Sequence, residues 1–258
     1  MTEKLDSFFK ELSQTDSRLL LLDYDGTLSP FHSERDKAYP YEGVEERLDK
    51  IISLNKTNVV IISGRAIDDL KPLLRLKKYP EMWGSHGRER LTTEDEYSIK
   101  KPDGLSAKGF ERAVKFIRDN KLDEYMELKP ASIAIHFRGV DSKKVLEISQ
   151  KVLDNWSRVG AEFNLVIDEF DGGLELKIRG VNKGTAVKEI FAVYPSHTIG
   201  AYLGDDLTDE DAFKALPKRI LGILAKEVNR ETAAQMRIKP PKELLSFLDR
   251  WIEIDENQ

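Results

Sequence analysis

The chain has 258 residues, 40% hydrophobic and 34% charged, with a formal net charge of −5 and no cysteine. Domains usually run to about 100–200 residues, so one large or two modest domains fit, with enough apolar material for a core. The balanced charge argues against a general nucleic-acid binder, the missing cysteines exclude disulfides and thiolate chemistry, and no apolar run approaches the roughly 20 residues of a membrane span.

Met1 to Lys10 is charged and has no apolar signal core, so a cytoplasmic location is expected. The first apolar run, Arg18 to Leu22, is four leucines leading into Asp23. Val44, Leu48, Ile51 and Ile52 then share one helical face. Asn58 to Ile62 is a second apolar run, and it leads into Ser63-Gly64-Arg65. After the middle of the chain come a helical pattern at Val187, Ile190, Phe191 and Tyr194, a third run from Thr198 into Gly204-Asp205-Asp206, and a fourth from Arg219 to Leu224. Continuous rather than alternating apolar runs predict strands buried on both faces, as in a parallel sheet. Helices between them imply right-handed crossovers. Ligands in such sheets bind beyond the carboxyl ends of the strands, here at Asp23, Ser63 and Asp205.

The middle of the chain has a different period. Phe110, Ala113, Val114 and Ile117 mark one amphipathic helix. Val145, Ile148, Val152 and Trp156 mark another, with Asp141 as its N-cap. The strands around them alternate strictly. Ile133, Ile135 and Phe137 oppose Ala134, His136 and Arg138. Phe163, Leu165 and Ile167 oppose Asn164, Val166 and Asp168. Leu174, Leu176 and Ile178 oppose Glu175, Lys177 and Arg179. A sheet with helices on one face and a polar second face is predicted. It forms a separate α/β layer at 104–179, inserted into a parallel-sheet core at 1–103 and 180–258. Solvent or a substrate cleft would each account for the polar face.

The residues at the strand ends have ordinary readings one by one. Asp25-Gly26 and Ser63-Gly64 are turn signals, Lys183 is a lysine at a helix start, and Thr208 or Asp209 caps a helix. Together they bring three acids, a lysine and a hydroxyl to one sheet edge. Clustered acids repel each other without a cation, and magnesium resolves that. The set suits phosphoryl transfer: magnesium offsets phosphate charge, lysine is a point charge, a carboxylate nucleophile makes an acyl phosphate, and a second acid moves protons.

Asp23-Tyr24-Asp25-Gly26-Thr27-Leu28, Ser63, Lys183 and Gly204-Asp205-Asp206 resemble the four motifs of the haloacid dehalogenase superfamily. Ile62-Ser63-Gly64-Arg65, Gly84-Ser85-His86-Gly87, His136-Phe137-Arg138, Asn182-Lys183-Gly184 and the stretch from Gly204 to Phe213 resemble segments of the trehalose-6-phosphate phosphatases within it. The resemblance spans nearly the whole chain. It implies an α/β haloacid dehalogenase-like core with an inserted α/β cap. It also implies a magnesium-dependent phosphatase releasing trehalose and phosphate from trehalose 6-phosphate. On that likeness Asp23 is the nucleophile and a metal ligand, and Asp25 is the general acid and base, its carbonyl also meeting the metal. Asp205 is the third ligand, and Asp206 with Asp209 supports the metal shell. Ser63 and Lys183 hold the phosphate. Arg65, His86, Arg88, Glu89, His136, Arg138, Glu175 and Lys177 are expected at the substrate. Many relatives have a small residue where this chain has Arg88, which leaves sucrose phosphate or a glycosyl-phosphoglycerate open as alternatives. A phosphomutase and a non-catalytic sensor are two further readings. A monomer with a small-molecule sugar phosphate as partner, and with no nucleic acid or membrane, is expected.

Overall fold

The computed structural model describes residues 3–257 except 33, 130, 131, 138, 171 and 229. Two compact units result, one from 1–98 with 182–258 and one from 99–181. The first opens with α1 (Glu3–Leu12), β1 (Arg18–Leu22), α2 (Val44–Leu54), β2 (Thr57–Ile62), α3 (Ile67–Leu70), β3 (Glu81–Gly84), β4 (Glu89–Leu91) and β5 (Tyr97–Ile99). The second holds α4 (Gly104–Asp119), β6 (Met126–Lys129), β7 (Ser132–His136), α5 (Ser142–Phe163), β8 (Leu165–Phe170) and β9 (Gly173–Ile178). The chain then completes the first unit with α6 (Lys183–Phe191), β10 (Ile199–Gly204), α7 (Asp209–Ala215), β11 (Ile220–Leu224), β12 (Met236–Arg237) and α8 (Lys242–Glu256).

The first unit is built on an eight-stranded sheet in the order β12-β11-β10-β1-β2-β3-β4-β5. It is parallel from β12 through β3, and β4 runs antiparallel to β3. The leucine run explains itself in this setting. Leu20 and Leu22 pack with α1, α2 and α8, while Leu19 and Leu21 pack with α6 and α7. Every residue of β1 is buried, and each buried leucine side chain contributes about 2 kcal/mol.

β1 lies between β10 and β2, with Leu22 beside both Leu203 and Ile61. The chain winds outward from β1 through β2 and β3, then returns to the other side of β1 as β10. Strand order therefore reverses between β1 and β10, the place where open α/β sheets bind ligands. The amino end of β1 is fastened separately. The Arg18 guanidinium donates to Asp255 Oδ1 at 2.9 Å and to the Leu12 and Thr15 carbonyls at 3.0 Å each. Asp255 also accepts from Thr57 Oγ1 at 2.8 Å, and Thr57 accepts from Trp251 Nε1 at 2.8 Å.

The second unit is a four-stranded antiparallel sheet in the order β6-β7-β9-β8. Ile133, Ile135, Leu174, Leu176 and Leu165 form its core with Ala113 and Ile117 of α4 and with Ile148, Val152, Trp156 and Phe163 of α5. Asp141 caps α5, accepting from the Lys143 and Lys144 N–H groups. One boundary differs from expectation. Alternation placed Phe163 and Asn164 on a strand, but α5 continues through Phe163. Asn164 ends it in the left-handed region (φ 55°), donating its N–H to the Gly160 carbonyl, a conformation that asparagine tolerates. Phe163 reaches the same apolar core from the helix, so its hydropathy did not distinguish the two.

Candidate active site

The site grows from the carboxyl ends of β1, β2 and β10. The Asp23 backbone N–H continues the ladder to the Leu203 carbonyl at 2.8 Å, so the side chain is fixed where the sheet stops. Asp23 is buried, and its carboxylate accepts from Thr27 Oγ1 at 3.3 Å and from Lys183 Nζ at 2.6 Å. Lys183 opens α6 behind a capping box made by Asn182 and Thr185. Its Nζ also donates to Asp209 Oδ1 at 2.7 Å. Burial works against the Lys183 charge, but Asp209 and Asp23 outweigh it and hold its pKa above the ordinary lysine value.

On the resemblance Asp206 and Asp209 both support the metal shell, and Thr208 or Asp209 was expected to cap a helix. Thr208 is the N-cap of α7 without a side-chain bond, and the Asp209 carboxylate reaches back to the N–H groups of Asp205 and Asp206 at 3.0 and 2.9 Å. Asp209 Oδ1 also accepts from Tyr202 OH, so four donors converge on this fully buried carboxylate. Asp206 is exposed and accepts from the Leu207 N–H at 2.7 Å. Tyr202 was missed, because a continuous apolar run gives no sign of which residue carries a buried donor.

Asp23, Asp205 and Asp209 can each offer an oxygen within 4.8 Å of the others. Burial and then Asp209 push the Asp205 carboxyl up to about 6, against Lys226, which donates to its Oδ2 at 3.1 Å. Asp23 is likewise raised by burial and crowded by Asp209 and Asp205, with Lys183 opposing. Three buried carboxylates against two lysines leave excess negative charge. Oxygen donors so placed fit a hard divalent cation.

Asp25 is clamped. Arg65 Nε and NH2 donate to its two oxygens at 2.7 and 2.6 Å, and Arg65 NH1 donates to the Arg35 carbonyl at 2.6 Å. Ser63 is fully buried at the end of β2, and its Oγ accepts from the Arg65 N–H at 3.1 Å. His86 lies over Gly64, where a Cβ would come within 2.7 Å of the ring. Ser85 (φ 47°), His86 (φ 57°) and Gly87 (φ 100°) are left-handed in succession. Such conformations concentrate at functional sites. Glu89 holds that loop: buried, it accepts from Ser85 Oγ, from the Ile67 N–H at 3.2 Å and from Tyr97 OH at 3.2 Å. Arg88 is buried beside it, and burial lowers its pKa.

The remaining expected residues lie in the second unit, except Arg138, which is outside the described residues. His136, Glu175 and Lys177 share the polar sheet face with Glu127, Lys129, Ser132 and Asp168 in cross-strand register. Glu175 is buried and accepts from Ser132 Oγ at 2.5 Å and Lys129 Nζ at 3.0 Å. His136 Nε2 lies 2.6 Å from Glu127 Oε2, and Lys177 pairs with Asp168. Glu127 and Lys129 were missed, although Glu127-Leu128-Lys129 alternates as its neighbours do.

A parallel sheet with a buried carboxylate at its switch point, a lysine bridging two acids beside it, and an α/β unit spliced into the chain make up a haloacid dehalogenase-like fold. The chain belongs to the trehalose-phosphatase family, whose model matches residues 21–242. It is 28% identical over 271 residues to the "Probable trehalose-phosphate phosphatase H" of Arabidopsis thaliana, covering 94% of this chain and 74% of that protein. The "Trehalose-phosphatase" of Schizosaccharomyces pombe is 28% identical over 90% of this chain, which spans 28% of that protein. Among solved structures, the Candida albicans trehalose-6-phosphate phosphatase C-terminal domain superposes with a TM-score of 0.76 at 22% identity, over 96% of both chains. An Aspergillus fumigatus trehalose-6-phosphate phosphatase gives 0.71 at 20% identity over 98% of both. At such identities the structural likeness establishes the fold.

Proposed function

We propose that the chain hydrolyses trehalose 6-phosphate to trehalose and inorganic phosphate through an aspartyl-phosphate on Asp23, with magnesium, as a cytoplasmic monomer. The observation that carries this reading is Asp23 itself, fixed at the strand-order reversal, bound by Lys183 at 2.6 Å and within 4.8 Å of Asp205. Asp23, Asp205 and the Asp25 carbonyl would hold the magnesium, which when bound would offset charge on the phosphate oxygens. Asp209, held by four donors, would support that shell by fixing Lys183 and the turn that carries Asp205.

An Asp23 oxygen attacks phosphorus, and the bond from phosphorus to the sugar oxygen breaks. Asp25 gives its proton to the departing sugar oxygen. Asp25 then takes a proton from water as that water attacks phosphorus, which frees phosphate and regenerates the Asp23 carboxylate. Two N–H bonds from Arg65 hold the Asp25 carboxyl in place for both proton transfers. Lys183 and Ser63 hold the phosphate oxygens. The polar face of the 99–181 unit binds the sugar, because each desolvated hydroxyl needs a partner. Its buried Glu175 and its His136 are held in place to serve.

Phosphate release from trehalose 6-phosphate, sucrose phosphate and a glycosyl-phosphoglycerate is the test, with magnesium and with chelator. Trehalose 6-phosphate should be turned over fastest, chelation should stop it, and Asp23→Asn should abolish it. Preference for another substrate would overturn the sugar assignment. Full activity in chelator or in Asp23→Asn would overturn the chemistry.

A further inference from the structure

We propose that Lys226 sets the affinity of this site for its divalent cation by competing for the Asp205 carboxylate. The inference rests on the metal assignment made above. Two ammonium groups meet the acid cluster, and they are held differently. The Lys183 side chain is 3% exposed and bridges Asp23 and Asp209, so it has nowhere to go. The Lys226 side chain is 47% exposed, with a four-carbon stem reaching solvent, and it donates to Asp205 Oδ2 at 3.1 Å.

The carboxylate cannot give way. The Asp205 side chain is 10% exposed. It lies against the bare Cα of Gly26 (φ 79°), where a Cβ would meet Oδ2 at 2.2 Å. Glu227, next to Lys226, is taken by Lys239 at 2.5 Å, and Glu243 accepts from the Lys239 N–H at 2.6 Å. These residues share a cavity of about 490 Å³ with Lys226, so Asp205 is the carboxylate its ammonium has found. A dication and Lys226 therefore draw on one carboxylate, and Lys226 is the partner able to withdraw. Its charge opposes entry of the metal, while its pairing relieves crowding of Asp205 by Asp209 and Asp23.

Removing one unit charge a few ångströms from a dication in a partly solvated setting should tighten binding about three- to tenfold. Calorimetric titration of magnesium into the full chain, without substrate, reads this directly. Lys226→Met should bind magnesium about three- to tenfold more tightly, and Lys226→Arg, which keeps the charge, should stay within about twofold of the unsubstituted chain. In chelator Lys226→Met should melt below the unsubstituted chain, and magnesium should raise its Tm by a larger interval. Unchanged or weaker binding in Lys226→Met, or equal tightening in Lys226→Arg, would overturn the proposal. No magnesium binding by the unsubstituted chain would overturn the metal assignment itself, and this inference with it.

Discussion

Asp209 and Tyr202 bear on the proposed chemistry without needing to meet substrate. Asp209 gathers the Lys183 ammonium, the Tyr202 hydroxyl and two backbone N–H groups, so it fixes Lys183 and the turn that carries Asp205 together. Removing one donor leaves its negative charge less satisfied and draws Lys183 away from Asp23. A hydrogen bond to a charged group is worth about 1.5–3 kcal/mol. Tyr202→Phe should therefore lower kcat about tenfold or more with little change in KM, read from steady-state phosphate release. Equal losses in kcat and stability with no such split would mean that the hydroxyl serves packing alone. At this scale the sequence was legible where residue type and position coincide. Asp23, Asp205, Ser63 and Lys183 stand at strand and helix ends, where a pattern of apolar runs places them. Asp206 and Asp209 could not be sorted, because both follow the same strand. The direction of the Asp209 side chain depends on a turn that hydropathy does not encode.

The elements of the first unit were legible because burial on two faces leaves a plain mark, an unbroken apolar run. The second unit was legible for the opposite reason, since a sheet apolar on one face and polar on the other alternates. The boundary at Asn164 was not, because the end of a helix and the start of a strand can feed one core. The polar face itself was predicted, but its internal pairing was not. Glu175 with Ser132 and Lys129, and His136 with Glu127, are set by register across three strands. On the proposed function, His136→Ala and Glu175→Ala should each cost trehalose 6-phosphate at least tenfold in kcat/KM. The same variants should leave p-nitrophenyl phosphate within about twofold, since that ester offers no sugar hydroxyls to pair. Parallel losses on both substrates would assign the two residues to the fold of their own unit.

Across the first unit, the two ends of β1 carry opposite duties. Arg18 at its start is locked into Asp255, with side chains 2% and 0% exposed, whereas Asp23 follows its end. Asp255→Asn leaves a buried guanidinium without its counter-charge and should cost about 3 kcal/mol. It should lower the denaturation midpoint while kcat of the folded fraction stays near that of the unsubstituted chain, measured on one preparation by urea titration and assay. A kcat falling in step with stability would show the two ends to be coupled. Family membership was legible along nearly the whole chain, because the motifs around Asp23, Ser63 and Asp205 sit at strand ends and the sheet order carries those to one edge whatever the intervening segments do. The central place of β1 has a consequence in time as well as space. A strand paired on both sides and covered on both faces opens only when the whole unit does. Amide hydrogens of Leu19 to Leu22 should be among the last in the chain to exchange with deuterium. Asp23, the proposed nucleophile, would thus be carried by one of the segments that open last.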